Sequence, residues 1–480
     1  MEPQEKKKLW LRRSLVGAGT LVLFLVLFFT LGPAVFGQSA VAGISPEETH
    51  YAQMFAQVMA FVDRNYVDKV DEHKLFEGAM KGLFESLNDP YSFYLSQSDL
   101  MSLDDTTTGE FGGIGLYVEK PDPSVAAKSG NPRDKYVEIV APIEDTPAWK
   151  AGILAGDEIT KINGQAVDNM SLNKVLDLLR GKAGSEVTLT ILRGKATTLT
   201  FDLHRAIIQV PSVKTAWIAP DIAYIRIIQF TAHTPEDFHK AIEEFKKKGY
   251  KKLIIDLRNN PGGLLEAVVK VGSEFFKSGV IVSTKSRVPG ETFTYTADDT
   301  QSIPSDVPIV VLVNKGSASA AEILAGALKD RKRAFLLGGT TYGKGSVQQV
   351  IHFDRTGFKL TMARYYTPSG VNIDKIGIKP NEFFEDKPLT DEQIQAIQKL
   401  ADEPLWRNFA HSKPSETQIA AFAVKIHRQE PTLGDRLLRR LLRLDVDRIE
   451  NKAPPVIDLD YDITLKEAIR LLNAGPLPIK

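Results

Sequence analysis

The sequence of 480 residues contains no cysteine. This absence excludes disulfide bonds, a thiol nucleophile and any metal site with cysteine ligands. Histidine is also scarce, at eight residues, and the pair nearest in sequence, His233 and His239, has a spacing that matches no common zinc motif. We therefore expect neither a metal nor an organic cofactor.

The chain also has no formal net charge. The chain carries 60 basic and 60 acidic side chains, which gives a formal net charge of zero. Nothing in this balance indicates a nucleic-acid partner. What the chain does have is a hydrophobic content of 43%, which is enough for buried cores. Its length predicts two or three domains.

A serine-rich turn at residues 314–322 joins two apolar patterns. The run Ile309–Val313 predicts a buried strand, and the spacing from Ile323 onward predicts a helix. Unpaired N–H groups and the helix dipole at such a helix start stabilise an oxyanion. Two hypotheses are open at this point: Ser317 or Ser319 caps the helix, or one of them is a nucleophile.

A second turn, residues 340–349, follows another apolar run. With Gly338 it partly matches a phosphate-binding loop, but Gly345 stands where that loop needs a hydroxyl, and a strand pattern follows instead of a helix. Nucleotide binding is therefore disfavoured. Lys344 lies between two glycines. A lysine acts as a general base only when its pKa falls, which burial achieves, and serine–lysine pairs are a known nucleophile arrangement.

Together with residues 256–263, these two turns closely resemble the carboxyl-terminal processing peptidases, or tail-specific proteases. Three motifs stand in the family's order: Asn-Pro-Gly-Gly, Gly-Ser-Ala-Ser-Ala and Gly-Lys-Gly. The resemblance spans roughly residues 51–382. It implies a serine endopeptidase that cuts protein substrates near their C-termini, with Ser319 as nucleophile and Lys344, at 344 − 319 = 25 residues further, as base.

The resemblance also implies supporting residues and a fold. Gln348 would orient the lysine, and the backbone N–H groups of Gly262 and Ala320 would bind the oxyanion, with Gly263 as the neighbouring alternative. The peptidase core, residues 204–386, would be a crotonase-like α/β fold. Two rival hypotheses are a non-catalytic PDZ scaffold with a decayed peptidase core and a crotonase-like acyl enzyme; the matched catalytic positions count against the first, and the serine–lysine pair against the second.

Residues 108–194 resemble a PDZ domain, a module that captures chain termini. In such a domain a glycine turn holds the carboxylate of the tail and the peptide adds as a strand. A helix over residues 171–179 would form one wall of the groove. The turn that would bind the peptide consists of Gly112, Gly113, Ile114 and Gly115. The expected partners are therefore proteins or peptides with free C-terminal tails.

The N-terminus predicts export. A basic segment, residues 1–13, precedes an apolar segment, residues 14–36, that approaches the roughly 20 residues needed to span a bilayer. Length favours an uncleaved anchor, and residues 40–42 leave a cleaved signal peptide as the alternative. We expect a single-pass protein of the bacterial inner membrane with its catalytic region in the periplasm.

Two flanking regions have helical patterns. Residues 44–107 are predicted to be helical, and the family-like segment 87–95 within them is given a structural role. Residues 387–480 are also predicted to be helical, and 387–455 is interpreted as an insertion. In this insertion leucines oppose arginines on one helix: Leu437, Leu438, Leu441 and Leu442 against Arg436, Arg439, Arg440 and Arg443. Packing within the protein or in a homo-oligomer is favoured over an anionic membrane surface.

Overall fold

The structure, a computed structural model, covers the chain from Ser45 almost to its C-terminus. It describes residues 45–120, 135–143, 146–154, 156–194, 197–386, 389–449 and 455–479. Two compact units divide the chain, one ending at Asn88 and the other beginning at Asp89.

The membrane prediction needs correction. The predicted basic segment (1–13) and anchor (14–36) lie outside the described residues. Within the ranges that the structure describes, no helix combines the length and the apolar character that crossing a bilayer requires. The prediction of a single-pass inner-membrane protein with a periplasmic catalytic region is contradicted by this finding and is not carried further.

The first unit consists, over its described part, of two helices, α1 (Pro46–Asn65) and α2 (Glu72–Glu85). Ser45 begins α1 with a capping box, because its hydroxyl accepts from the Glu48 N–H and the Glu48 carboxylate accepts from the Ser45 N–H. Asp71 caps α2, because its side chain accepts hydrogen bonds from the N–H groups of His73 and Lys74. Short polar residues therefore decide where both helices begin.

The second unit contains a mostly parallel sheet. Its strand order is β10-β11-β12-β15-β16-β19, and only the pair β10–β11 is antiparallel. The strands are β10 (Val213–Ala219), β11 (Ile222–Ile227), β12 (Lys252–Asp256), β15 (Ile309–Val313), β16 (Phe335–Gly338) and β19 (Glu382–Phe383). All five residues of β15 are buried, as expected for a strand covered on both faces.

Helices cover both faces of this sheet. One face packs against α6 (Thr234–Lys248), α7 (Leu265–Ser273) and α8 (Ala320–Asp330), and the other packs against α13 (Ile463–Asn473). The chain reverses sharply at Gly249, which ends α6 with φ +76°. The carboxyl ends of β12 and β15 lead into the two turns that carry the Asn-Pro-Gly-Gly and Ser-Ala-Ser motifs.

A second sheet corrects the prediction for residues 44–107. After α2 the chain forms β1 (Phe93–Leu95), which pairs antiparallel with β18 through Tyr94 and Phe358. A strand of three residues is too short to show alternation in the sequence, and its partner lies far along the chain. The sheet has the order β1-β18-β13-β14, with β17 also on β18. Its other strands are β13 (Val280–Ser286), β14 (Phe293–Thr296), β17 (Ser346–Phe353) and β18 (Thr356–Tyr366).

The predicted PDZ region forms a separate antiparallel sheet around its own core. The order is β3-β4-β5-β7-β8, with β6 on β5, while β2 pairs with β9. The strands are β2 (Glu110–Gly113), β3 (Leu116–Glu119), β4 (Val137–Pro142), β5 (Glu158–Ile162), β6 (Gln165–Ala166), β7 (Glu186–Arg193), β8 (Thr197–His204) and β9 (Ala206–Gln209). The helices of this region are α4 (Pro147–Lys150) and α5 (Leu172–Leu179), and α3 (Gln97–Thr108) precedes β2 in the chain.

The predicted insertion is helical and has a core of its own. It contains α9 (Asp391–Asp402), α10 (Pro404–His411), α11 (Glu416–Gln429) and α12 (Asp435–Ile449). Leu438 and Leu442 of α12 are fully buried in this core, against residues of α10 and α11. The leucine stripe therefore packs within the chain. It supplies no apolar surface for a membrane at these two positions.

Candidate active site

Ser319 stands at the junction between the turn after β15 and the first residue of α8. Its backbone has φ +54° and ψ −115°, in the region that residues with a Cβ rarely adopt. Such a conformation costs about 1–3 kcal/mol and persists only where neighbouring contacts enforce it. The residue is 7% exposed, so a strained and nearly buried serine occupies the start of a helix.

The preceding serine, Ser317, holds the turn in place. Its buried hydroxyl donates to the Leu257 carbonyl oxygen at 2.7 Å and accepts from the Asn314 N–H at 3.0 Å. Asn314 in turn exchanges two hydrogen bonds with Asn259 on the neighbouring turn. Ser317 therefore has a structural role between two strand ends, and the capping hypothesis for it does not apply.

Glu322, in the first turn of α8, joins the serine turn to the lysine turn. This carboxylate is completely buried. One oxygen accepts from the N–H groups of Ser319 (2.9 Å) and Lys344 (2.8 Å). The other accepts from the Thr341 hydroxyl (2.5 Å) and the Gly343 N–H (2.7 Å). Four donors on one carboxylate bring the two predicted catalytic residues side by side through their backbones.

The Lys344 side chain is half-buried, and burial lowers its pKa below the ordinary lysine value. Lys359 lowers this pKa further, whereas Asp89 and Glu322 oppose the change. The amine lies 4.7 Å from the centroid of the Tyr91 ring. Among the described residues no acceptor, Ser319 included, takes a hydrogen bond from this amine. The turns meet, but the hydroxyl and the amine are not paired.

The hydrogen bonds of the Gln348 side chain also go to residues other than Lys344. Its amide nitrogen donates to the Ser346 hydroxyl at 2.7 Å and to the Thr361 hydroxyl at 3.2 Å. Both acceptors belong to β17 and β18, the strands that follow the lysine turn. The predicted orienting residue therefore lies near Lys344 in the chain, but its recorded contacts hold the strand pair together.

In the predicted oxyanion site, Gly262 lies so close to Ser319 and Ala320 that a side chain would not fit there. A Cβ on Gly262, which has φ +104°, would lie 2.7 Å from the Ser319 Cβ and 2.9 Å from the Ala320 nitrogen. The Gly262 N–H donates to the Asn260 side chain at 2.8 Å. In the described part of the chain the N–H groups of Ala320 and Gly263 have no acceptor. The geometry thus leaves Ala320 and Gly263 as the donors that are unpaired here.

Tyr365 is a neighbour of Ser319 that sequence patterns did not single out. It is buried, and burial raises its pKa to about 12, while a hydrogen bond with the Ser319 side chain opposes that rise. Glu322 was also missed as a functional residue. The spacing Ser-x-x-Glu at a predicted helix start is a capping-box signal that could have drawn attention to it.

In the predicted peptide-binding turn, Gly112 and Gly113 end strand β2, paired with β9, and Ile114 and Gly115 follow that strand. A Cβ on Gly112 would lie 2.2 Å from the Gly181 carbonyl oxygen, and one on Gly115 would strike the Thr146 side chain. The Ile114 side chain is buried, so only its backbone is available to a peptide. None of these contacts involves Ser319 or Lys344. The strand after the turn, β3, is at the edge of its sheet.

Three sequence families match the chain. Peptidase family S41 matches residues 221–383. The PDZ domain family matches residues 138–193. The N-terminal domain of the activating protease CtpB matches residues 38–99.

Individual proteins are similar over most of the chain. The carboxy-terminal-processing protease of Bartonella bacilliformis is 40% identical over 77% of this chain and 83% of its own length. The carboxy-terminal processing protease CtpA of Bacillus subtilis is 36% identical over 74% of this chain and 73% of its own length. A solved structure, the photosystem II D1 C-terminal processing protease, is 32% identical, covers 73% of this chain and 97% of that one, and has a TM-score of 0.41.

Proposed function

The chain belongs to peptidase family S41 and is a serine protease of the carboxy-terminal processing type, and from this premise we propose that Ser319 and Lys344 are its catalytic pair. The observation that carries the proposal is the Glu322 carboxylate, which holds the backbones of both residues through one oxygen. The strained backbone of Ser319 supports it, since strain of this kind is concentrated at functional sites.

In the proposed reaction the Ser319 hydroxyl attacks the scissile carbonyl carbon while the Lys344 amine accepts its proton. The same amine then protonates the leaving amine, and water hydrolyses the acyl-enzyme by the reverse route. The lysine must be neutral to accept a proton, and its burial favours the neutral form.

The backbones of the pair are in place, whereas the lysine side chain is not. For the reaction, the Lys344 amine must move from the Tyr91 ring to the Ser319 hydroxyl. The Gln348 Nε2 donates to Ser346 and Thr361, and in the orienting role its Oε1 would accept from the amine once Lys344 has moved. We propose that substrate binding selects this second arrangement.

The oxyanion would be bound by backbone N–H groups on two turns. Ala320 supplies the first, at the start of α8, where the helix dipole adds to its effect. The second comes from Gly262, if Asn260 releases its N–H, or from Gly263, whose N–H is unpaired. Removing one such donor typically costs about 10²–10³ in rate.

We propose that the PDZ domain captures the free C-terminal tail of the substrate. The support is the edge strand β3, which follows the glycine-rich segment 112–115 and contributes to the same core as α5. A peptide that adds to this edge forms backbone hydrogen bonds with it. The domain limits 108–194 and 204–386, and the crotonase-like character of the core, stay predictions.

The test compares Ser319→Ala and Lys344→Ala with wild type on a protein that has an unstructured, apolar C-terminal tail. Both variants should bind the tail and lose at least about 10³-fold in kcat, as removal of a nucleophile or its base does. Lys315→Ala is the matched control, because Lys315 is an exposed lysine on the serine turn. Full cleavage by either site variant would exclude the pair.

A further inference from the structure

The Lys344 amine lies against a segment with no catalytic motif. The ring of Tyr91 faces the amine, 4.7 Å from its nitrogen. An ammonium group above an aromatic face is stabilised by the ring quadrupole, and more so when partly removed from water. With Lys344 half-buried, the Tyr91 ring is therefore a binding partner for the charged form of the proposed base.

The position of this ring is fixed by Asp89. One carboxylate oxygen of Asp89 accepts from the Tyr91 N–H at 3.1 Å, and the other accepts from the Ser92 hydroxyl at 2.6 Å. The Ser92 hydroxyl also accepts from the Thr361 N–H at 3.0 Å. The turn 89–92 is thereby attached to β18 just before β1 begins to pair with that strand.

The same turn reaches the lysine loop at a second point. The Tyr91 hydroxyl lies 3.5 Å from the hydroxyl of Tyr342, two residues before Lys344. Thr361, which the turn contacts, also accepts from Gln348, the proposed orienting residue. Tyr91 is therefore joined to the lysine loop through its ring, its hydroxyl and the strand behind it.

We propose that Tyr91 is a positioning residue for Lys344: its ring binds the ammonium form away from Ser319 and so sets the pH at which the amine becomes available as a base. This inference rests on the proposed function, because it takes Lys344 as the proton acceptor. It also assigns a role in the chemistry to a segment that the sequence pattern marked as structural only.

Several charged groups act on the two partners. Burial and Lys359 lower the pKa of Lys344, and Asp89 and Glu322 raise it. On the other side, the hydrogen bond with Tyr342 raises the pKa of Tyr91 to about 12, with further contributions from burial and from Asp374. The phenol therefore stays neutral over the working pH range, and Tyr91 acts through the face of its ring.

A ring effect predicts a clear ranking of variants. Tyr91→Leu removes the aromatic face and should lower the pH at which Lys344 is half deprotonated by about 0.4–1.5 units, the range expected for an ammonium–ring contact. Tyr91→Phe keeps the face and should leave that midpoint at its wild-type value. Tyr366→Leu is the matched control, since its ring faces Lys285 and not Lys344.

The midpoint is measured in two ways. Competitive acetylation of Lys344 with acetic anhydride, followed by mass spectrometry in the Ser319→Ala background, reports the amine without requiring activity. The pH dependence of kcat and of KM reports it during cleavage, where the acid limb of kcat should move with Tyr91→Leu. A merely structural role for Tyr91 would lower kcat without moving either midpoint.

An acetylation midpoint equal to wild type in Tyr91→Leu, or one that moves as far in Tyr366→Leu, overturns the inference. Active Lys344→Ala would instead overturn the proposed function, and the acetylation midpoint would still decide whether Tyr91 binds the ammonium. If circular dichroism shows that Tyr91→Leu does not fold, Tyr91→Met, which is unbranched and non-aromatic, takes its place with the same expected shift.

Discussion

The Glu322 carboxylate holds both the turn that carries Ser319 and the turn that carries Lys344. The two turns differ in whether the backbone also fixes the position of the side-chain tip. On the serine turn the backbone is forced into a strained conformation, and a hydroxyl one bond from Cβ has little freedom left. On the lysine turn the backbone N–H is bound equally well, yet the amine lies at the end of four carbons and rests against Tyr91. A short side chain is positioned by its backbone, whereas a long side chain is positioned by whatever its tip contacts.

The largest effect on activity and stability should come from Glu322→Gln, which weakens the contact that the two turns share. The amide keeps one accepting oxygen but turns an NH2 group toward two of the four donors. Either the Ser319 and Lys344 N–H groups or the Thr341 hydroxyl and Gly343 N–H then lose their acceptor in a buried site, so the contact between the two turns is weakened. We expect kcat to fall by about 10²-fold or more and the free energy of unfolding by about 2–4 kcal/mol. Enzyme assays and urea unfolding measure the two changes.

Glu266→Gln is the matched control for that variant. Glu266 also lies in the first turn of a helix, α7, but is exposed. Its replacement should change stability by less than about 0.5 kcal/mol. If Glu322→Gln retained kcat within twofold of wild type, the two turns would not depend on this carboxylate.

An intermediate effect is expected from Gly262→Ala, which disturbs the serine turn alone. The added methyl group would strike the Ser319 Cβ and the Ala320 nitrogen, at a φ of +104° that alanine rarely adopts. We expect kcat to drop by about 10²-fold while tail binding is unchanged, because the oxyanion donors are displaced. Gly290→Ala separates strain from contact, since Gly290 has φ +86° and open space around it. Equal losses in both variants would refute the steric explanation.

The smallest effect should be a pH dependence of the free energy of unfolding that arises from the Lys344 amine. Burial lowers the pKa of Lys344 in the folded protein, so the unfolded chain binds more protons between that pKa and about 10.4, the ordinary lysine value. The free energy of unfolding should therefore gain a contribution that rises with pH through this window. It should be absent in Lys344→Met. Urea unfolding from neutral to alkaline pH compares the two proteins, and parallel curves would show that Lys344 is not perturbed.

Several elements follow directly from local patterns in the sequence. The continuous apolar run of β15 (Ile309–Val313) matches the strand of the structure. The leucine stripe of α12 packs within the protein, as its sequence pattern favoured, and Leu438 is buried. These features are local in sequence, so periodicity and turn residues are sufficient to find them.

Other features depend on contacts between distant residues. The strand β1 exists because β18 offers it a partner, and the role of Glu322 depends on where the lysine turn arrives. The pairing of the Gly262 N–H with Asn260 is likewise invisible in a motif. The one large error, the membrane placement, came from a pattern outside the described residues, and the described helices do not support it.

By itself, the sequence determined the family, the motifs and their order, because these are properties of residue identity and spacing along the chain. The tertiary structure alone decided that the serine turn and the lysine turn share the Glu322 carboxylate and that the Lys344 amine lies on the Tyr91 ring instead of the Ser319 hydroxyl. The physical reason is that a hydrogen bond or an ion–ring contact depends on distances of a few ångströms between groups far apart in sequence, which packing of the whole unit sets.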